Sequence, residues 1–215
     1  MKKKKGFSLA EVLITLTIIG IIAAITIPSI LQSTQKKEFI IAWRKSFSII
    51  ANVVNYMRAN GEDDFKNEDT LCRTFAQYVK QSKICREGKF VEDGCAPEAY
   101  PIYYKYGTRR VHSQNMGEIG GGSSCILVDN ASIICFDSYI AMVDVNGYKG
   151  PNTIGQDIFA ALIDFKDITL RPAKGRKYMW GPADGHVVPL TAGDGTCQKE
   201  DLGWGCSAWY LTHDN

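Results

Sequence analysis

Hydrophobic and polar positions divide this chain into stretches of different character. From Val12 to Leu31 the only polar side chains are Thr15, Thr17, Thr26 and Ser29. Their hydroxyls can bond back to a helix carbonyl, so such a helix can lie in lipid with its backbone satisfied. About 20 residues suffice to cross ~30 Å of hydrocarbon. Beyond it the pattern turns amphipathic: Phe39, Trp43, Phe47, Ile50, Val54 and Met57 recur at spacings of 4, 4, 3, 4 and 3, one face of a helix. Joined through Pro28, the two stretches predict one helix over 7–60, on the order of 80 Å long at ~1.5 Å per residue. Its second half needs a sheet to bury the stripe. Gly61-Glu62-Asp63-Asp64 ends it, and Leu71, Phe75 and Val79 predict a shorter helix over 68–83. Strand patterns follow at 100–106, 124–129, 132–136, 139–145, 158–165 and 168–171. Asp129-Asn130 and Lys166-Asp167 stand where hairpin turns belong, so antiparallel pairing and an α+β fold are expected.

Charge gives the apolar stretch a direction. Lys2, Lys3, Lys4 and Lys5 precede it and no lysine lies within it, which puts the N-terminus on the cytoplasmic side and the remaining chain across the membrane. A cleaved secretory signal has an apolar core of only about 7–15 residues ending in a small-x-small site. Here Ala23-Ala24 falls inside the run. Glu11 is the informative exception, because a carboxylate at the edge of a hydrocarbon helix costs about 2.5 kcal/mol or more and calls for a partner. The natural partner is a cation at similar depth on another copy of the chain.

Lys5-Gly6-Phe7-Ser8-Leu9-Ala10-Glu11-Val12-Leu13-Ile14 resembles the class III signal of type IV pilins and of the pseudopilins of type II secretion. The resemblance implies that a membrane-embedded prepilin peptidase cuts between Gly6 and Phe7 and that the new N-terminal Phe is methylated. Glu11 would then be the fifth mature residue, its carboxylate neutralising the terminal amine of a neighbouring subunit during assembly. Gly20 and Pro28 match family positions where the helix softens or kinks. The implied fold is pilin-like, a long N-terminal helix packed on an antiparallel sheet with a cysteine-containing C-terminal region. The implied domains are a leader at 1–6, a transmembrane and filament-core helix at 7–31 and a head at 32–215. Within the head lie the helix continuation 32–60, an α/β region 61–177 and a cysteine-rich tail 178–215.

Removing the leader leaves 21 basic against 23 acidic residues, and nothing in that balance calls for nucleic acid. Asp144, Asn146, Asn152 and Asp157 place carboxylate and amide oxygens in one glycine-containing loop, the donor type calcium prefers. The spacing departs from an EF-hand, since Tyr148 takes the third ligand position and Gly147 comes one residue early. Major pseudopilins are similar in carrying a calcium loop late in the sheet. The competing reading is a turn in which Asp and Asn side chains bond their own backbone.

Seven cysteines in a head outside the cytoplasm read as disulfides with one left over. Cys197 and Cys206 flank Trp204, and their pairing would resemble the C-terminal disulfide loop of many type IV pilins. Cys125 and Cys135 face each other if their hairpin loop has an odd number of residues. Cys72, Cys85 and Cys95 supply another bridge, Cys72 to Cys95 or Cys85 to Cys95. There is no C-x-x-C, and His112, His186 and His213 are scattered, which argues against zinc and against a catalytic triad. The glycine-rich run 117–122 lacks the Lys-Ser/Thr of a phosphate loop. Tyr100, Tyr103, Tyr104 and Tyr106 before Arg109-Arg110 read as a half-buried strand with a basic turn, or as a surface for a glycan or protein.

The reading that results is a non-enzymatic structural subunit of a type IV pilus or type II secretion-like filament. The alternative is a minor pilin or adhesin displayed at a filament tip, with the cysteine-rich tail 178–215 as its contact surface. Expected partners are the prepilin peptidase, copies of itself and related pilins, the inner-membrane assembly platform, and lipid before assembly. The expected location is a single-pass inner-membrane protein with its head outside the cytoplasm, and then a filament.

Overall fold

A computed structural model describes residues 8–62, 68–86, 88–95, 97, 100–106, 124–128, 132–137, 140–164, 169–174, 195–197 and 203–213. Helix α1, Leu9–Ala59, carries both sequence patterns and continues through Pro28. The chain divides into two compact units, Met1–Glu38 and Phe39–Asn215.

In the first unit the hydroxyls turn back onto the helix as the pattern requires. Thr15 Oγ1 donates to Glu11 O at 3.0 Å, Thr17 Oγ1 to Leu13 O at 2.8 Å and Thr26 Oγ1 to Ile22 O at 2.9 Å. Leu13, Ile14, Ile18, Ile21, Ile25 and Leu31 are all exposed, so apolar side chains cover the helix all round. By length and composition this helix can cross a membrane.

In the second unit α1 buries Phe39, Ile40, Trp43, Ile50, Val53, Val54 and Met57, while Phe47 is half-buried against them. Gly61 ends the helix at φ +68°, its N–H on Arg58 O at 3.2 Å and the Glu62 N–H on Met57 O at 2.9 Å. This is a Schellman cap, and it needs the left-handed backbone that glycine adopts without strain.

The second helix stops earlier than its periodicity predicts. α2 is Glu68–Ala76, and residues expected in its last turns form strand β1, Gln81–Cys85. Leu71 and Phe75 already fill the core, and leaving the helix lets β1 pair with β3 while Ile84 and Cys85 point to opposite faces. The remaining strands are β2 (Tyr103–Tyr104), β3 (Ser124–Val128), β4 (Ile133–Asp137), β5 (Ile140–Asp144), β6 (Thr153–Ile154), β7 (Ile158–Asp164) and β8 (Thr169–Pro172). Their order is β1-β3-β4-β5-β7-β6-β2, with β8 also on β7. The long ladders are antiparallel as expected, but β2–β6 and β6–β7 are parallel, so the sheet is mixed. The turns expected at Asp129-Asn130 and Lys166-Asp167 lie outside the described residues.

Both faces of the sheet are covered, which explains why β4, β5 and β7 read as nearly unbroken apolar runs. Ile126, Ile134, Phe136, Val143, Phe159 and Ile163 face α1 and α2. Cys125, Cys135, Met142, Ile158 and Leu162 face the other way, under Phe90, Tyr100, Ile102 and Trp204. Part of the expected cysteine-rich tail is a third helix, α3, Cys206–Thr212. It is fastened to α1: Trp43 Nε1 donates to Ser207 O at 2.8 Å, and Arg44 donates to Tyr210 O at 2.7 Å and His213 O at 2.8 Å. The guanidinium thereby satisfies carbonyls that a helix C-terminus leaves without partners.

Candidate functional site

At the start of α1, Ser8 and Glu11 form a reciprocal cap. Glu11 Oε2 accepts from the Ser8 N–H at 2.8 Å and the Ser8 hydroxyl at 2.9 Å, while the Glu11 N–H donates to Ser8 Oγ at 3.3 Å. A Ser at the N-cap with a Glu three residues on is a capping box, and its carboxylate also suits the positive end of the helix dipole. Sequence reasoning picked out Glu11 but passed over Ser8, although the spacing S-x-x-E before an apolar run is the signature of such a box. Gly6 and Phe7 lie outside the described residues.

The 144–157 loop joins β5 to β7 and brings its four singled-out residues together. Asp144 and Asp157 are fully buried and Asn152 is 8% exposed. Asp144 Oδ1 accepts from the Asn146 N–H at 3.1 Å and Oδ2 from the Tyr100 hydroxyl. Asp157 accepts from the Asn152 N–H at 2.8 Å and the Thr153 N–H at 2.6 Å. Asn146 turns back on the loop, its N–H on Asp144 and its side-chain Nδ2 donating to Lys149 O at 2.6 Å and to Gly150 O at 3.2 Å. The loop is thus built by Asx-type bonds to its own backbone, as the turn reading expects. It also leaves something over: the buried Asn146 Oδ1 and Asn152 Oδ1 have no hydrogen-bond partner.

The electrostatics of the pair are unfavourable. Desolvation raises the Asp144 carboxyl well above the usual range, and the charge of Asp157 adds to it. Burial likewise pushes Asp157 up to about 6. Tyr100 is pushed up by burial and then by the Asp144 charge. Among the described residues no cation is paired with either carboxylate, and no group of three His, Cys, Asp or Glu gathers that could hold a metal. A buried carboxylate is favoured when it is protonated or beside a cation.

Tyr100 was expected in a half-buried strand, or on a surface for a glycan or protein. It is 1% exposed and turned onto Asp144, and so presents no surface to a glycan. Tyr103 remains exposed, Tyr106 donates to Cys197 O at 2.8 Å, and Arg109 and Arg110 lie outside the described residues. The run 117–122 is outside them too.

Three disulfides close: Cys85–Cys95, Cys125–Cys135 and Cys197–Cys206. Cys72 is not a disulfide partner but a buried free thiol, which corrects the Cys72–Cys95 alternative. The reason is topological, because Cys72 packs on the helix-covered face of the sheet and Cys95 on the opposite face. Cys125 and Cys135 are directly opposed across β3 and β4, their Cα atoms 4.0 Å apart.

Comparison with curated proteins and with solved structures gave no match. Residues 1–27 match the family model described as the prokaryotic N-terminal methylation motif, and with it the chain carries the signal of type IV pilins and pseudopilins.

Proposed function

We propose that this chain is a structural subunit of a type IV pilus or a type II secretion-like filament, a non-enzymatic pilin or pseudopilin polymerised through α1. The observation that carries the reading is a methylation signal running directly into a helix whose apolar side chains are exposed on every side. Such a surface is stable only in lipid or against other copies of itself. The domain reading follows: a leader over 1–6, a membrane and filament-core segment over 7–31, and a head over 32–215 outside the cytoplasm. Co-expression with a prepilin peptidase tests it. Mass analysis should find scission after Gly6 and a methylated Phe7, and Glu11→Ala should abolish filaments while leaving the head folded. An intact N-terminus, or wild-type assembly by Glu11→Ala, overturns it.

A second reading concerns the head, where the two orphaned amide oxygens favour a hard cation in the 144–157 loop. Asp144, Asp157, Asn146 and Asn152 fit calcium in donor type, and each carboxylate oxygen keeps a second lone pair beyond the bond it already accepts. Calcium would supply the positive charge that this buried pair lacks. The full chain in non-ionic detergent should melt higher in millimolar calcium than in chelator. An unchanged melting temperature counts against the site.

A further inference from the structure

The 144–157 loop and the C-terminal disulfide touch at two glycines. A Cβ on Gly155 would stand 2.4 Å from Gly203 O and 3.0 Å from Cys206 Sγ, and a Cβ on Gly203 would stand 2.3 Å from Ile154 O. Both glycines have positive φ, +82° and +100°, so each backbone is shaped to let the other approach. Gly203 lies inside the Cys197–Cys206 loop, and Gly155 is two residues from Asp157.

The segment 100–106 reaches both. Its Tyr100 hydroxyl is on Asp144, and its Tyr103 N–H is on Asn152 O at 2.9 Å. Lys105 Nζ donates to Gly155 O at 3.3 Å and to the Tyr210 hydroxyl at 2.9 Å, and stands 3.1 Å from Cys197 Sγ. Tyr106 donates to Cys197 O. One short stretch of chain therefore grips the carboxylate loop at one end and the disulfide at the other. The other two disulfides sit elsewhere in the sheet: Cys125–Cys135 joins β3 to β4, and Cys85–Cys95 starts from the last residue of the edge strand β1.

From this geometry we infer that cation occupancy of the 144–157 loop and closure of the Cys197–Cys206 disulfide are coupled: calcium in the loop protects that disulfide, and opening the disulfide weakens calcium. The inference rests on the calcium reading of the loop, which the unpartnered Asn152 Oδ1, in a residue only 8% exposed, supports beyond the two carboxylates. Coupling between two binding or bonding equilibria is reciprocal, so the factor must be the same measured from either side.

The test uses the full chain in non-ionic detergent with limiting dithiothreitol. The dithiol supplies two electrons and two protons, Cys197 and Cys206 become thiols, and the reagent closes to its cyclic disulfide. Free thiols are trapped by alkylation and each pair is followed by peptide mass mapping, while equilibrium dialysis measures calcium retained by the same preparation. At equilibrium with the dithiol, calcium should lower the trapped ratio of reduced to oxidised Cys197–Cys206 at least tenfold and leave that of Cys85–Cys95 unchanged. In a Cys197→Ser, Cys206→Ser variant the calcium dissociation constant should rise at least tenfold, and the wild-type alkylation arm stands alone if that variant does not fold. Calcium retained without protection, or equal protection of all three pairs, overturns the coupling and leaves the calcium site standing. Absence of calcium binding removes both.

Discussion

Replacing Asp157 by Asn separates the two energies that its environment imposes. Both carboxylate oxygens accept backbone N–H groups, from Asn152 at 2.8 Å and Thr153 at 2.6 Å. An amide can accept only one of these and turns its NH2 against the other. That mismatch costs about 1–3 kcal/mol at every pH, the usual penalty for a buried donor without an acceptor. The charge acts in the opposite direction and only above pH ~4. Burial raises the Asp157 carboxyl from 3.8 to about 6, so between those values the folded protein holds a proton that the unfolded chain has released. Stability therefore falls as pH rises through that window. Two pH units at ~1.4 kcal/mol each amount to about 3 kcal/mol, fully lost above pH ~6. In the Asp157→Asn variant this loss is absent. Urea unfolding of the full chain in buffer stripped of divalent cations, followed by the fluorescence of buried Trp43 and Trp204, measures the difference directly. Wild type should be the more stable at pH ~4 by the mismatch alone, and the gap should close or reverse by about 3 kcal/mol at pH ~6.5. A gap that stays constant or widens with pH refutes the reasoning.

Two further outcomes test the packing. Trp43 is fully buried, stacked on Phe159 at 5.1 Å and edge-on to Phe47 at 5.5 Å. Trp43→Ala should cost about 3–5 kcal/mol in urea unfolding, and Trp43→Phe, which loses chiefly the bond to Ser207 O, about 1–3 kcal/mol; a cost below about 1 kcal/mol for the alanine variant would place the core elsewhere. Burial pushes the Cys72 thiol up to about 12, so iodoacetamide at mildly alkaline pH should leave it unmodified until guanidinium unfolds the chain, and prompt labelling of native protein would contradict its place in the core.

Much of this architecture is written in local spacing, and what is missing from the sequence is non-local. The α1 stripe was legible because a 3.6-residue period needs no knowledge of what it packs against, and Trp43, Ile50, Val54 and Met57 are buried as it requires. The signal at the start of α1 is a contiguous motif and was equally legible. β1 was hidden because Val79 extends the periodicity of α2 beyond Ala76, and only pairing with β3 draws the chain out of the helix. α3 was hidden because a seven-residue helix has too few turns to show a period, and its stability comes from Trp43 and Arg44, more than 160 residues away. The choice between Cys72 and Cys85 as partner of Cys95 depends on which face of the sheet each occupies, and no spacing encodes that. Tyr100 and Asp144 are 44 residues apart, so the hydroxyl that holds the carboxylate could not be found from the loop's own sequence.

The carboxylates at the two candidate sites meet the same physical demand in different ways. Asp144 and Asp157 each use both oxygens on donors of the head itself, so what they lack is a compensating positive charge and not hydrogen bonds. At Glu11 both donated bonds of the cap fall on Oε2, from the Ser8 amide and the Ser8 hydroxyl. The cap therefore fixes the carboxylate at the helix start while leaving Oε1 to a cation from outside. Ser8 lies on the mature side of the expected scission between Gly6 and Phe7, so the cap is retained when the leader is lost. If subunits assemble through Glu11 as proposed, a neighbouring amine would approach an acceptor already held in place, and the side-chain entropy of ordering that carboxylate would be spent before the subunits meet.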